Sequence, residues 1–103
     1  MIAPLPWTTE RITTDVTSAV RIISGVSGVK KLWFFGSAAQ HQTLDVASDL
    51  DFAVEGLAHD RYFAVLGELL MALEYPVDLV RWEDATDLMR ARIASTGTLL
   101  YAA

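Results

Sequence analysis

The sequence predicts an α/β protein in which helices pack against a small β-sheet. Apolar residues recur at helical spacing near the N-terminus and again after residue 60. Short β-branched and aromatic runs lie between these stretches, and glycine or proline separates the two kinds of pattern. Alternating helices and strands are typical of the α/β class, although the order does not set the direction of each strand.

The first helix and the first strand follow from local pattern. Apolar positions recur at helical spacing from Thr8, with Thr8 or Thr9 as the N-cap and Gly25 or Gly28 as the stop. Residues 29–35 then form a β-branched and aromatic run. Its apolar second half predicts an inner strand that is covered on both faces.

The next segment predicts a short helix, a loop and a second strand. Gly36-Ser37 ends the first strand abruptly. We expect residues 38–42 to form a short helix and residues 43–48 a loop. Residues 50–54 read as a strand, with the polar Asp49 at its entrance.

The second half predicts two more helices and two more strands. An apolar stripe at 62–73 predicts a helix that Tyr75-Pro76 ends, because proline disfavours a helical residue before it. Residues 77–82 follow as a strand. Asp84 is expected to cap a helix that runs to about residue 94 and carries basic residues near its negative end, and 98–101 are expected to add a short strand.

Length and composition exclude several classes of protein. A chain of 103 residues is expected to form a single domain, residues 1–103, and 52% hydrophobic residues exclude intrinsic disorder. The absence of cysteine excludes disulfides, thiolate metal sites and thiol nucleophiles. Without a signal-peptide pattern or a bilayer-length apolar run, we expect a cytoplasmic protein with no membrane partner. The generous apolar content is consistent with a homo-oligomer or hetero-oligomer.

The net charge of −5 is concentrated in one window. Residues 32–60 contain five acidic residues and no lysine or arginine, whereas acids and bases cancel elsewhere. An acidic surface repels phosphate backbones, which argues against direct nucleic-acid binding. A divalent cation is the natural counter-ion of this window.

Three aspartates are the candidate metal ligands. Asp49 and Asp51 are two residues apart, so a strand projects both carboxylates from one face, and their repulsion raises one pKa unless a hard cation such as Mg2+ compensates it. Asp78 lies in an apolar strand and needs a partner if it is buried. The alternatives are that Asp-x-Asp occurs by chance, as in about a third of chains this long, and that Asp78 is a structural or edge residue.

Gly36-Ser37 is the candidate phosphate site. Glycine lets the backbone approach a ligand closely, and serine adds a hydroxyl to the outward N–H groups that follow the strand. An ordinary turn is the alternative, because the segment lacks the lysine of the glycine-rich phosphate loop.

The order of these motifs resembles the nucleotidyltransferase superfamily related to DNA polymerase β, and in particular its minimal nucleotidyltransferase (MNT) members. The matching segments are Phe34-Phe35-Gly36-Ser37, Ser48-Asp49-Leu50-Asp51 and Pro76-Val77-Asp78-Leu79-Val80. The resemblance covers nearly the whole chain and implies a nucleotidyltransferase fold with a small mixed sheet.

The resemblance also implies roles for these residues. Asp49 and Asp51 would bind two Mg2+ ions that hold the triphosphate of ATP, and Asp78 would complete the metal site and help deprotonate the attacking hydroxyl. Gly36 and Ser37 would hold the phosphates. Paired metals neutralise charge at the entering and leaving oxygens of such a transfer.

Two departures from the family pattern concern the phosphates. Family members usually read Gly-Ser-Arg-x-Arg-Gly, but here Gly36-Ser37 is followed by Ala-Ala-Gln-His, and the spacer to Asp49 is one residue longer. Both arginines and the second glycine are missing. His41, Arg61 and Arg81 are the candidate replacements, each with a solvated role as its alternative.

The resemblance implies a protein partner. Larger relatives carry a second domain for the acceptor, for which this chain has no length left, and stand-alone MNT proteins are typically antitoxins of HEPN-domain toxins. The leading hypothesis is AMP transfer from ATP to a tyrosine of a HEPN toxin. The alternatives are an impaired antitoxin that acts by occlusion, and a small-molecule nucleotidyltransferase with an acceptor pocket at a homodimer interface.

Overall fold

The computed structural model describes residues 9–36 and 49–103, which form helices and strands in alternation. The helices are α1 (Thr9–Ser24), α2 (Tyr62–Ala72) and α3 (Asp87–Thr96), and the strands are β1 (Lys31–Phe35), β2 (Leu50–Glu55), β3 (Val77–Arg81) and β4 (Thr98–Ala102). The predicted α/β class is confirmed. Thr9, one of the two N-cap candidates, is the first residue of α1 that the structure describes. The other candidate, Thr8, the short helix at 38–42 and the loop at 43–48 lie outside the described residues. None of the helices described is both long and apolar enough to cross a bilayer.

The predicted start of the last helix is wrong. Asp84 does not cap it but lies in a 3-10 turn, Trp82–Asp84, where its carboxylate pairs with the Arg81 guanidinium at 2.8 Å. The helix begins at Asp87, and the Thr86 hydroxyl accepts a hydrogen bond from the Met89 N–H at 3.1 Å. Thr86 has an extended backbone, which aims its side chain at an N–H group that lacks a partner within the helix.

The four strands make one mixed sheet in the order β3-β2-β1-β4. Strand β1 pairs antiparallel with β2 and β4, whereas β2 and β3 are parallel. The prediction that β1 is an inner strand is confirmed, since the four residues from Leu32 to Phe35 are all buried. Among the strands described, β3 lies at one edge of the sheet and pairs only with β2.

The two faces of the sheet pack against different helices. One face buries Leu32, Phe34, Phe52 and Leu79 together with side chains of α1 and α2. The other buries a smaller cluster in which Ile93 of α3 packs with residues of β1 and β2, namely Trp33, Phe35 and Ala53. Successive strand residues alternate between faces, so the odd-numbered residues of β1 and β2 face α3.

A buried carboxylate fastens α1 to the segment between α2 and β3. Asp15 is only 2% exposed, and its carboxylate accepts hydrogen bonds from the backbone N–H groups of Glu74 and Tyr75 at 3.0–3.1 Å. These donors lie just before β3, which begins at Val77. Asp15 therefore helps to set the start of β3.

Replacing Asp15 with alanine should lower the free energy of unfolding by about 3 kcal/mol, because two backbone N–H groups lose a charged acceptor in a largely buried setting. Urea denaturation monitored by circular dichroism measures the change. Thr17→Ala is the matched control, since it removes an exposed side-chain hydrogen bond from the same helix and should change stability by less than about 0.5 kcal/mol. Equal effects of the two substitutions would contradict the assigned role.

Candidate functional site

Parallel pairing brings the predicted carboxylates together. Asp51 of β2 and Asp78 of β3 are register partners, and the next pair of the same parity, Ala53 and Val80, packs against the α3 side of the sheet. Asp51 and Asp78 therefore share the face that α3 covers. Asp49 stands directly before β2 with the same parity, and its charge acts on Asp51. These three side chains are called the acidic row below.

The structure agrees with the alternative that Asp78 is an edge residue. Asp78 is exposed, because β3 is an edge strand and only Leu79 of that strand is fully buried. Asp49 is also exposed, whereas Asp51 is partly buried between two neighbouring strands. The apolar neighbours of Asp78 in the sequence thus do not enclose its carboxylate, and the side chain remains accessible to a ligand.

The carboxyl of Asp51 has an altered affinity for protons. Burial, followed by the charges of Asp78 and Asp49, raises its pKa from 3.8 to about 6, while the nearby Arg92 guanidinium lowers it. The expected repulsion within the Asp-x-Asp pair is present. The largest cause, however, is loss of water around Asp51, which the spacing of acidic residues does not reveal.

Gly36 lies against Asp51 at the end of β1. Its φ of +83° falls in the left-handed region, and a Cβ atom at this position would lie 3.2 Å from Cγ of Asp51 and would overlap Oδ2. Only glycine fits both the backbone and the space. The predicted phosphate-binding glycine is therefore next to the acidic row, and Ser37 lies outside the described residues.

Sequence reasoning missed two groups beside the acidic row. Tyr62, read as a core position of α2, donates its hydroxyl to the Leu79 carbonyl, and burial together with Asp78 raises the pKa of its hydroxyl. Arg92 was expected only to favour the negative end of α3. In the folded chain its charge acts on Asp51. Neither proximity has a signal in the sequence, because both depend on how helices pack on the sheet.

Two of the three candidate replacements for the missing arginines, Arg61 and Arg81, lie in the described part of the chain. Arg81 is held elsewhere, since its Nε donates to the Leu57 carbonyl at 2.9 Å and its Nη1 pairs with Asp84. Arg61 is exposed in the 3-10 turn His59–Arg61 before α2. His41 lies outside the described residues.

The donor chemistry of the acidic row suits a hard divalent cation. Carboxylate oxygens are the ligands that Mg2+ prefers, and a cation would relieve the repulsion that raises the pKa of Asp51. Over residues 9–36 and 49–103, no three histidine or acidic side chains are already arranged to hold a metal ion. The acidic row therefore supplies ligands of the right type without a closed cage.

Comparison with known proteins identifies relatives of this fold. The profile of the family described as Polymerase beta, Nucleotidyltransferase matches residues 18–103. A toxin–antitoxin structure with AMP-PNP is similar at a TM-score of 0.70 and 22% identity, over 87% of this chain and 73% of that chain. A complex of a tri-AMPylated Shewanella oneidensis HEPN toxin with its MNT antitoxin gives 0.68 and 20%, over 88% and 72%. No curated protein matches. At these identities the structures share a fold.

Replacing Asp51 with asparagine should stabilise the protein at pH 8 and have little effect at pH 4. The raised pKa means that ionisation of Asp51 opposes folding, a cost absent below pH 3.8 and complete above about pH 6. After allowance for solvent screening we expect a gain of about 1 kcal/mol at pH 8. Urea denaturation at both pH values measures it, with Asp60→Asn as a control at an exposed aspartate. A loss of stability at pH 8 would contradict the role of burial.

Proposed function

Because this chain belongs to the polymerase beta nucleotidyltransferase family, we propose that it is an MNT-type antitoxin that transfers AMP from ATP to a tyrosine of a HEPN toxin. The observation that carries the proposal is the acidic row, Asp49, Asp51 and Asp78, on one face of the sheet beside Gly36. The structural relatives include an AMPylated HEPN toxin bound to an MNT antitoxin, which supports this acceptor. We propose that residues 1–103 form one MNT domain. We also propose that the protein acts in the cytoplasm, where ATP is present.

The proposed reaction is a nucleotidyl transfer. The tyrosine oxygen forms a bond to the α-phosphorus of ATP, the bond from that phosphorus to the α,β-bridging oxygen breaks, and pyrophosphate leaves. The proton of the tyrosine hydroxyl goes to a carboxylate, for which Asp78 is suited because it is exposed at the edge strand and can meet a group on another protein.

The same three carboxylates would hold Mg2+, with two ions proposed from the family resemblance. When bound, Mg2+ supplies neutralisation of the charge on the transferred and leaving phosphates. The missing side chain of Gly36 leaves room for the Asp51 carboxylate, and we propose that the Gly36 backbone and the Ser37 hydroxyl bind the phosphates beside it. Asp51 belongs to β2, which is paired on both sides, with β1 and with β3. Its carboxylate is therefore positioned before the nucleotide binds.

Asparagine substitutions at Asp49, Asp51 or Asp78 should each lower AMP transfer by about a hundredfold or more, since each removes a charge worth several kcal/mol at the reacting phosphate. The assay incubates the purified protein with its co-purifying partner, Mg2+ and α-labelled ATP, and follows label on the partner. Asp60→Asn, an exposed aspartate outside the acidic row, is the matched control and should keep full activity. Undiminished transfer in all three variants would refute the proposed site.

Neutralisation of the toxin by binding alone is the second candidate function. Both arginines usual after Gly-Ser are missing, and α2 exposes large apolar side chains, with Phe63 and Met71 exposed by 78% and 91%. Phe63 packs edge-on against Tyr62, whose hydroxyl bonds to the strand that carries Asp78. We propose that a partner docks on this exposed apolar surface of α2, which packs on the face of the sheet opposite the acidic row and contacts β3 through Tyr62.

The double substitution Phe63→Asp and Met71→Asp should weaken partner binding by about a hundredfold. Two exposed apolar side chains are then replaced by charges that must lose their water when the partner binds. Affinity is measured by calorimetry, with Ala94→Asp on α3 as the control for added charge. Inhibition of the partner's ribonuclease activity then separates the two functions. If Asp51→Asn still neutralises the toxin and the α2 variant does not, occlusion is correct; loss of neutralisation in both indicates catalysis.

A further inference from the structure

The acidic row has a positively charged side chain near it that comes from another part of the chain. Residues 32–60 contain no lysine or arginine, so the segments that carry Gly36, Asp49 and Asp51 bring no positive charge of their own. Arg92 of α3 supplies a positive charge that acts on Asp51. The neighbouring Ile93 is completely buried in the cluster on the α3 side of the sheet, which places the last turns of α3 over the same face as the acidic row.

Contacts at the end of α3 set its position relative to Asp51. Gly97 follows the helix so closely against β1 that a Cβ atom there would lie 3.2 Å from Cβ of Phe35 and 3.3 Å from the Phe34 carbonyl oxygen. Phe35 is in turn the register partner of Asp51. Arg92 lies little more than one turn before Gly97, and consistent with this placement its charge acts on Asp51.

Within residues 9–36 and 49–103, the Arg92 guanidinium takes part in no ion pair. Arg90, two residues earlier, donates to the Trp82 and Glu83 carbonyls and lies 5.6 Å from the Trp82 ring centroid. Arg81 is similarly occupied by Leu57 and Asp84. The ion pairs formed within the described ranges involve Arg11 and Arg81, and the Arg92 side chain is exposed.

We propose that Arg92 binds the phosphates of the nucleoside triphosphate at the acidic row, in place of the arginines that are missing after Gly36-Ser37. This inference rests on the proposed nucleotidyltransferase function. A guanidinium presents several donors in a planar fork and suits phosphate oxygens. The Arg92 guanidinium would approach the phosphates from the face of the sheet that α3 covers. The carboxylates of β2 and β3 would remain available to bind cations.

The test is calorimetric titration of the full chain with ATP and Mg2+, and separately with adenosine. Arg92→Gln should weaken ATP binding by about ten- to a hundredfold, the loss expected for one charge-assisted contact. Adenosine, which has no phosphate, should bind both proteins alike. Arg92→Lys keeps the charge and should recover part of the ATP affinity. Arg21→Gln, at an exposed arginine on α1, is the control and should bind ATP as the unsubstituted protein does.

The possible outcomes separate this inference from the function on which it rests. If the unsubstituted protein binds ATP and Arg92→Gln binds it equally well, the role of Arg92 is refuted and the proposed function stands. An equal loss of ATP and adenosine affinity refutes it as well, since it would mean that Arg92 only shapes the fold. If the unsubstituted protein binds no ATP with Mg2+, the proposed function and this inference fail together.

Discussion

The parallel, in-register pairing of Asp51 with Asp78 is the constraint on which the candidate site depends. Parallel strands hold residues of equal parity on one face, so two carboxylates from separate parts of the chain become neighbours. Burial of Asp51, followed by the charges of Asp78 and Asp49, raises the pKa of the Asp51 carboxyl, so its ionisation carries a cost in the folded protein. Folds retain such electrostatic strain chiefly where a ligand relieves it, and this makes the acidic row the best candidate for chemistry.

The two faces of the sheet have different tasks. The face toward α1 and α2 holds the larger core, and Asp15 fastens that layer to the backbone just before β3. The face toward α3 is divided, with a small apolar cluster around Ile93 and the carboxylates toward the end of the sheet at which Gly36 stands. The candidate ligands thus project from strands whose other face is firmly packed, which is a better support for a precise site than a loop provides.

The charge distribution bears on the two arginines that this chain lacks relative to the family pattern. Relatives usually place arginines directly after Gly-Ser, whereas this chain is without lysine or arginine throughout 32–60. A distant segment partly compensates this lack of positive charge. Helix α3 packs on the same face of the sheet as the acidic row, and the Arg92 charge acts on Asp51. An exposed edge strand complements this arrangement by leaving Asp78 open on the side where a protein acceptor would approach.

Local pattern in the sequence determined the alternation of helices and strands, the inner position of β1 and the shared parity of Asp49 and Asp51, since these depend on side chains a few residues apart. Its error was the cap at Asp84, and it left open whether Asp78 is buried or lies at an edge, because both features depend on which neighbour an element meets in space. Strand order made β3 an edge, and helix packing brought Tyr62 and Arg92 to the acidic row. Only tertiary structure decided these features, because strand neighbours and helix placement arise from contacts between residues far apart in the chain.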